Sequence, residues 1–287
     1  MATLREIRKR IRSVRNIAQV TRAMQTVAAT KMRRAQAAAL AARSYADRSW
    51  EMLASLCARL SPAQQRSQPL LQVRPVRTVE MVLFTSNRGL CGGYNHNIIA
   101  EALRFVNRQD APVRMVTVGR KGREYCARRG LEIVADFETP DHPTTLDVRA
   151  IVEVLADDFV AGRADQVWLA YTEFISTLTQ RPQVRQLLPI QRGTCEPGNG
   201  VPYLLEPAVD AIIGPLLRRV TEIQVYRALL EALASEHSAR MVAMRNASDN
   251  AVTLIGELTL SYNKARQEAI TKELIDIVGG AAALART

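Results

Sequence analysis

Apolar residues recur with a helical period at both ends of the chain, while the middle alternates short apolar runs with amphipathic segments. From residue 216 to residue 278 there is no proline and one glycine, Gly256, so nothing forces the backbone out of a helix. Written as heptads, one core position falls on Ile213, Val220, Arg227, Ala234, Met241, Ser248, Ile255, Tyr262 and Ala269. The other falls on Leu216, Ile223, Leu230, His237, Met244, Ala251, Leu258 and Ala265. Apart from Arg227, His237 and Ser248 these are apolar or small. A seam repeating every ~3.5 residues supercoils left-handed around a partner helix. At about 1.5 Å per residue this helix would measure roughly 95 Å, two or three times the width of a small domain, so it must project from any globular body.

The partner is in the same chain. Residues 2–60 contain neither glycine nor proline, and Leu4, Ile7, Ile11, Val14, Ile17, Val20, Met24 and Val27 step by threes and fours. Thr3 precedes Glu6 by three positions, the spacing of a capping box. Beyond Lys31 the pattern turns alanine-rich, which lets two helices approach closely. Each long helix could instead pair with a copy of itself, but a tethered partner is always present at high effective concentration. An antiparallel left-handed coiled coil of the two chain ends is therefore expected.

Between them, residues 79–85, 113–118, 131–135, 166–175 and 184–190 read as strands, the last two joined by a turn containing Arg181 and Pro182. Residues 97–107, 121–129 and 146–160 read as helices. Strands alternating with helices imply a mostly parallel sheet covered on both faces. The expected layout is an N-terminal helix over 1–60, a linker over 61–76, an α/β (Rossmann-like) domain over 77–207 and a C-terminal helix over 208–287. Residues 195–200 read as loop, and Gly214-Pro215 as a bend before the long helix.

The net charge of +11 is concentrated: residues 1–60 hold thirteen Lys and Arg against Glu6, Asp47 and Glu51. Such a stripe fits a solvated helix face, an acidic protein surface or nucleic acid. Aromatics make up only 5% of the chain, which suits long helices packed through alanine, leucine and methionine. No apolar run reaches the roughly eighteen residues of a membrane span, so membrane association would be indirect.

Catalytic chemistry is not legible. Gly89, Gly92 and Gly93 follow a strand, but Gly93 leads into Tyr94 and Asn95, and neither phosphate-loop nor dinucleotide spacing is present. His96, His142 and His237 have no nucleophile-and-acid partners at a usable spacing, and Asp157-Asp158 reads as an exposed helix face. Cys57, Cys91, Cys126 and Cys195 form no CxxC pair and have no histidine at ligand spacing, so no metal site is expected. No cofactor is implied.

Four segments carry a resemblance: VRNIAQVTRAMQTVAATKMRRAQ, TSNRGLCGGYN, SEHSARMVAMRNASDNA and YNKARQEAITKELIDIVGGAAAL. In their order and over nearly the whole length the chain resembles the gamma subunits of F-type ATP synthases, departing at Asn87, usually Asp, and Ser248, usually Thr. The resemblance implies a non-catalytic rotor shaft inside a ring of three alpha and three beta subunits. Its α/β foot would meet the epsilon subunit and the membrane c-ring. Ring-contact candidates are then Arg8, Lys9, Arg10, Arg12, Met24, Lys31, Arg33, Arg34, Met241, Met244, Asn246, Asp249 and Asn250. Foot candidates, as interface or packing elements, are Asn87, Arg88, Cys91, Tyr94 and Asn95. The small, apolar C-terminal GGAAALART suits either a hydrophobic collar or a frayed end. With no obvious leader, a bacterial subunit at the cytoplasmic side of the cell membrane is expected, with no nucleic-acid partner. A nucleic-acid-binding coiled coil is the alternative that the basic stripe permits, and a nucleotide-using enzyme a third.

Overall fold

A computed structural model describes residues 3–57, 60–61, 64, 67–190 and 209–284. The expected loop at 195–200, with Cys195, and part of the 61–76 linker lie outside the described residues. The chain divides into two compact units, one of residues 28–240 and one of residues 1–27 with 241–287.

The larger unit is built on a five-stranded sheet in the order β3-β2-β1-β4-β5. The strands are β1 (Val79–Phe84), β2 (Val113–Val118), β3 (Ile133–Phe137), β4 (Gln166–Phe174) and β5 (Gln180–Leu188). The first four run parallel and β5 closes the sheet antiparallel to β4. Parallel pairing needs crossover connections, and α2 (Tyr94–Val106), α3 (Arg120–Arg129) and α4 (Thr145–Val160) supply them. Every residue of β1 is buried because helices cover both faces. Met81 and Leu83 pack with Ile98 and Ala102 of α2 and Cys126 of α3. Val82 and Phe84, on the alternate face, pack with Ile151, Leu155 and Phe159 of α4. That second core also takes in Leu53 and Leu56 of α1 (Leu4–Cys57) and Ile213, Leu217, Val225 and Leu229 of α5 (Val209–Leu284). The long helices thus complete the domain's core.

Gly119 marks how tightly this unit closes. Its φ is +103°, and a Cβ there would lie 2.1 Å from the Thr85 carbonyl oxygen, so only glycine lets β2 turn into α3 against the end of β1.

The smaller unit consists of the start of α1 and the last part of α5. On the α5 part of this unit the expected heptad positions Met241, Met244, Ser248, Ala251, Ile255, Leu258, Tyr262, Ala265 and Ala269 are all shielded or half-shielded, as are Val242, Ala243 and Ala247 beside them. In this unit Arg8 meets Tyr262, and within the larger unit Asp47 of α1 lies 3.9 Å from Arg227 of α5. Within the larger unit the charge of Lys31 on α1 also reaches Glu236 and His237 of α5, so residue numbers fall along α5 as they rise along α1 and the pair is antiparallel there. Thr3 and Glu6 form the capping box, with bonds of 2.9 and 3.3 Å.

Several elements differ from the sequence pattern. On α1 the shielded seam runs Leu4, Ile7, Ile11, Val14, Ala18, Thr21, Met24, Gln25, Ala28 and Met32, while Ile17, Val20 and Val27 are more than half exposed. Successive steps of three from Val14 rotate off a seam whose period is about 3.5, so the bulkier residues leave the interface to smaller ones. The turn before β5 is Ser176–Thr179, joined by reciprocal backbone bonds, and Pro182 stands inside the edge strand, where its missing N–H costs no ladder partner. β3 starts two residues later than expected because Gly130 is left-handed and the Leu131 N–H caps α3 by bonding the Cys126 carbonyl. α5 begins at Val209, with Pro215 inside it rather than at a bend. The fully buried Ile213 and Leu217 hold the turn that forfeits the proline's bond. Finally, Asp158 is not on an exposed face: it is 6% exposed and accepts from both Arg114 and Arg163.

Candidate functional site

Two surfaces carry the residues singled out in the sequence. The first is the outward side of the paired helices. Arg8, Lys9, Arg10, Arg12, Arg33, Arg34, Asn246, Asp249 and Asn250 are exposed; Met24, Lys31 and Met241 are half-buried; Met244 is buried at 4%. Exposed apolar residues lie among these polar ones: Ile17, Val20 and Val27 on α1, and Val252, Leu254 and Leu260 on α5. Past Ala269 the α5 residues through Val278 are all exposed, including Ile270, Leu274, Ile275, Ile277 and Val278. The helix continues to Leu284, into the GGAAAL segment.

The second is the glycine-rich loop after β1. Its polar side chains turn inward. Asn95 accepts the Ser86 N–H at 3.0 Å and donates to Ser86 Oγ at 2.7 Å and to Cys91 Sγ at 3.2 Å. Asn87 donates to the Thr139 carbonyl at 2.8 Å and accepts the Arg120 N–H at 3.3 Å. Cys91 and Tyr94 are buried in the chain's own packing, whereas the Arg88 side chain is exposed. The Ser86 N–H, a donor a phosphate could use, is thus already taken.

The loop rests on a side chain that its own motif does not reveal. Arg240 of α5 donates through Nη2 to the carbonyls of Arg88 and Gly89, at 3.2 and 3.4 Å, and through Nη1 to Glu236 at 2.6 Å. Two motifs therefore meet, the glycine-rich loop and the SEHSAR segment of α5, and the charge of Lys31 on the N-terminal helix reaches Glu236 and His237. Lys31 Nζ binds Asp141 at 2.6 Å in the same unit. Burial raises the carboxyl of Glu236 above the usual range, against the pull of Arg240. Burial, with Arg240 and Lys31, pushes His237 down to about 4. The imidazole is then neutral near pH 7, so its Nδ1, 3.3 Å from Arg240 Nη1, accepts. The Glu236/Arg240 spacing of four was the available signal, since such pairs share a helix face. Leu90 was also missed: it is 65% exposed at the loop tip with φ +63°, a left-handed conformation rare for a branched residue.

Among the described residues no group of three or more His, Cys, Asp or Glu is placed to hold a metal ion, and no helix is long and apolar enough to cross a membrane. What the fold shows is a pair of long helices, one from each end of the chain, with an α/β domain built from the sequence between them. A family model described as ATP synthase matches residues 3–284. The ATP synthase gamma chain of Dehalococcoides mccartyi (strain CBDB1) is 50% identical over 286 residues, 99% of this chain and 100% of that one. That of Chloroflexus aurantiacus (strain ATCC 29366 / DSM 635 / J-10-fl) is 45% identical over 288 residues, 99% of each. A chain in the central stalk and c-ring structure of Tetrahymena thermophila mitochondrial ATP synthase aligns with a TM-score of 0.61 at 26% identity, covering 80% of this chain and 99% of that one. One from Euglena gracilis mitochondrial ATP synthase shares the fold, with a TM-score of 0.70 at 18% identity, covering 98% and 94%. The chain belongs to the gamma-subunit family of the F-type ATP synthases, the central-stalk rotor component of that complex.

Proposed function

We propose that this chain transmits torque between a proton-driven membrane ring and a catalytic ring of three alpha and three beta subunits, and performs no bond chemistry itself. The observation that carries this reading is the outward side of the helix pair. Its two helices close their own seam on each other, yet Ile17, Val20, Val27 and the α5 residues beyond Ala269 remain exposed. Large exposed apolar groups on a soluble protein mark a surface that a partner covers. Because those groups are distributed unevenly around the pair, the shaft offers each beta subunit a different side as it turns. Differential contact of that kind is what shifts a subunit's conformational equilibrium.

The exposed basic residues Arg8, Lys9, Arg10, Arg12, Arg33 and Arg34 supply charge for acidic loops of the ring. The epsilon subunit and the c-ring engage the α/β domain, where the exposed Arg88 and Leu90 mark one contact point. One proton crossing about 100 mV releases roughly 2.3 kcal/mol, so several crossings must accumulate mechanically for each ATP. A closed pair of long helices is suited to hold that strain. The complex then works at the cytoplasmic side of a bacterial cell membrane, with this chain held there by its partners. The nucleic-acid reading rests on the basic stripe alone and gains no support from the relatives found.

The test is reconstitution. Mixed with alpha and beta subunits, the chain is expected to enter a complex at one copy per three of each and to change the ATPase rate. Failure to form that complex, or ATP hydrolysis by the purified chain alone, would overturn the reading.

A further inference from the structure

Glu80 stands in the otherwise apolar strand VEMVLF and is 0% exposed. Alternation along β1 places it on the face of Val82 and Phe84, under α4. Among the described residues neither of its carboxyl oxygens has a hydrogen-bond partner. Arg114 lies opposite it in register on β2, but that guanidinium is engaged elsewhere: Nε with Glu132 at 3.0 Å and Nη1 with Asp158 of α4 at 3.2 Å. Arg163, in the turn before β4, directs Nε and Nη2 to Asp158 Oδ1 at 2.8 and 2.7 Å. On β4 the residue in register is Val167, and Asp165, just before that strand, accepts the N–H groups of Arg77 and Thr78. Asp157 points away, exposed, 3.9 Å from Arg218 of α5.

The charges decide the case. Two arginines already face two carboxylates, Asp158 and Glu132. An ionised Glu80 would be a third, enclosed and with no donor, the least favourable way to bury a charge. We propose that Glu80 is held as the neutral acid in the folded domain, a proton-binding site whose ionisation loosens the Arg114–Asp158–Arg163 cluster joining β2, α4 and the turn before β4. Burial, then the negative charge of Asp158, pushes this carboxyl up to about 7, against the opposing pull of Arg114 and Arg163. Loss of the proton is relieved by drawing an arginine away from Asp158 or by opening the strand to water.

The folded form keeps a proton that the unfolded chain releases near its ordinary value of 4.5, so this contribution to stability is complete below that value and is lost as pH rises to about 7. A gamma chain with this site is therefore gripped more firmly at mildly acid pH than at alkaline pH.

Glu80→Gln keeps the shape of the neutral acid and removes the titration. In full-length chain, the folding equilibrium constant of the parent relative to Glu80→Gln is expected to fall by up to about tenfold per pH unit between roughly pH 4.5 and 7, then level off. Comparing the two chains cancels the groups they share, Glu236 and His237 among them. Infrared spectra near pH ~6 are expected to show a buried carboxylic-acid carbonyl band that Glu80→Gln lacks, and Asp158→Asn should move its loss to lower pH. Parallel pH profiles for the parent and Glu80→Gln would overturn the proposal. If Glu80→Gln does not fold, the infrared titration of the parent decides alone, and a fully ionised carboxylate near pH ~6 sinks it.

Discussion

Arg8 on α1 and Tyr262 on α5, 254 positions apart in the chain, form one contact: the guanidinium donates to the phenol oxygen at 2.5 Å and its carbon lies 5.4 Å from the ring centre. It pins the register of the two helices in the smaller unit. Tyr262→Phe keeps the ring and loses the acceptor, whereas Arg8→Ala loses both. At an exposed site each should cost no more than about 1 kcal/mol, with Arg8→Ala the larger. A double-mutant cycle by thermal unfolding checks this, and zero coupling would remove the contact.

Arg240 bridges Glu236 and the loop carbonyls, and both side chains of the ion pair are nearly enclosed, at 12% and 9% exposure. Arg240→Ala leaves Glu236 buried without its partner and should cost about 3–5 kcal/mol at neutral pH. Adding Glu236→Gln should recover a good part, because both charges are then gone. The deficit of Arg240→Ala should shrink on acidification, since protonation neutralises the stranded carboxylate. Denaturant unfolding at two pH values, with hydrogen exchange of residues 88–95, reads all three effects.

His237 is pushed down to about 4 from an ordinary 6.5, chiefly by burial. Between those values the unfolded chain binds a proton that the folded one does not, so stability falls as pH drops through that window. The loss reaches at most about 3.5 kcal/mol, at ~1.4 kcal/mol per unit over that interval. His237→Gln should flatten this acid limb, measured as unfolding midpoints between roughly pH 4 and 6.5. An unchanged acid limb would assign it to other groups. This trend is opposite in sign to that of Glu80, so the two partly cancel in the parent chain.

Leu230 is 1% exposed in α5, amid the domain core. Leu230→Pro removes a backbone bond and forces a kink, a penalty of about 3 kcal/mol or more before the lost packing is counted. The expected result is a chain that fails to assemble or that assembles without coupled ATPase. Coupling at the parent level would refute the requirement for an unbroken α5.

Much of this protein is local in origin. The seam from Met241 to Ala269 could be read directly because small or apolar residues fill both heptad slots and nothing in between breaks a helix. The parallel strands were legible because β1 and β2 are largely apolar runs, broken only by Glu80 in the first and by Arg114 and Thr117 in the second. A hydrogen-bonded capping box at Thr3 and Glu6 needs only a three-residue spacing.

Other features depend on what comes near in space. A periodic pattern says which residues share a side of α1, but the side that meets α5 depends on their mutual register. That is why Ile17, Val20 and Val27 face outward while Ala18, Thr21 and Ala28 are shielded. The role of Arg240 depends on a loop about 150 residues earlier, and that of Asp158 on Arg114 from a different strand. Glu80 was visible as one acid in an apolar strand, but its lack of a donor became apparent only once the arginines beside it proved to be held by other carboxylates. Helices, strands and family are written in local runs of residues; which face is covered, which ions pair and which acid keeps its proton are relations across space that no local pattern encodes.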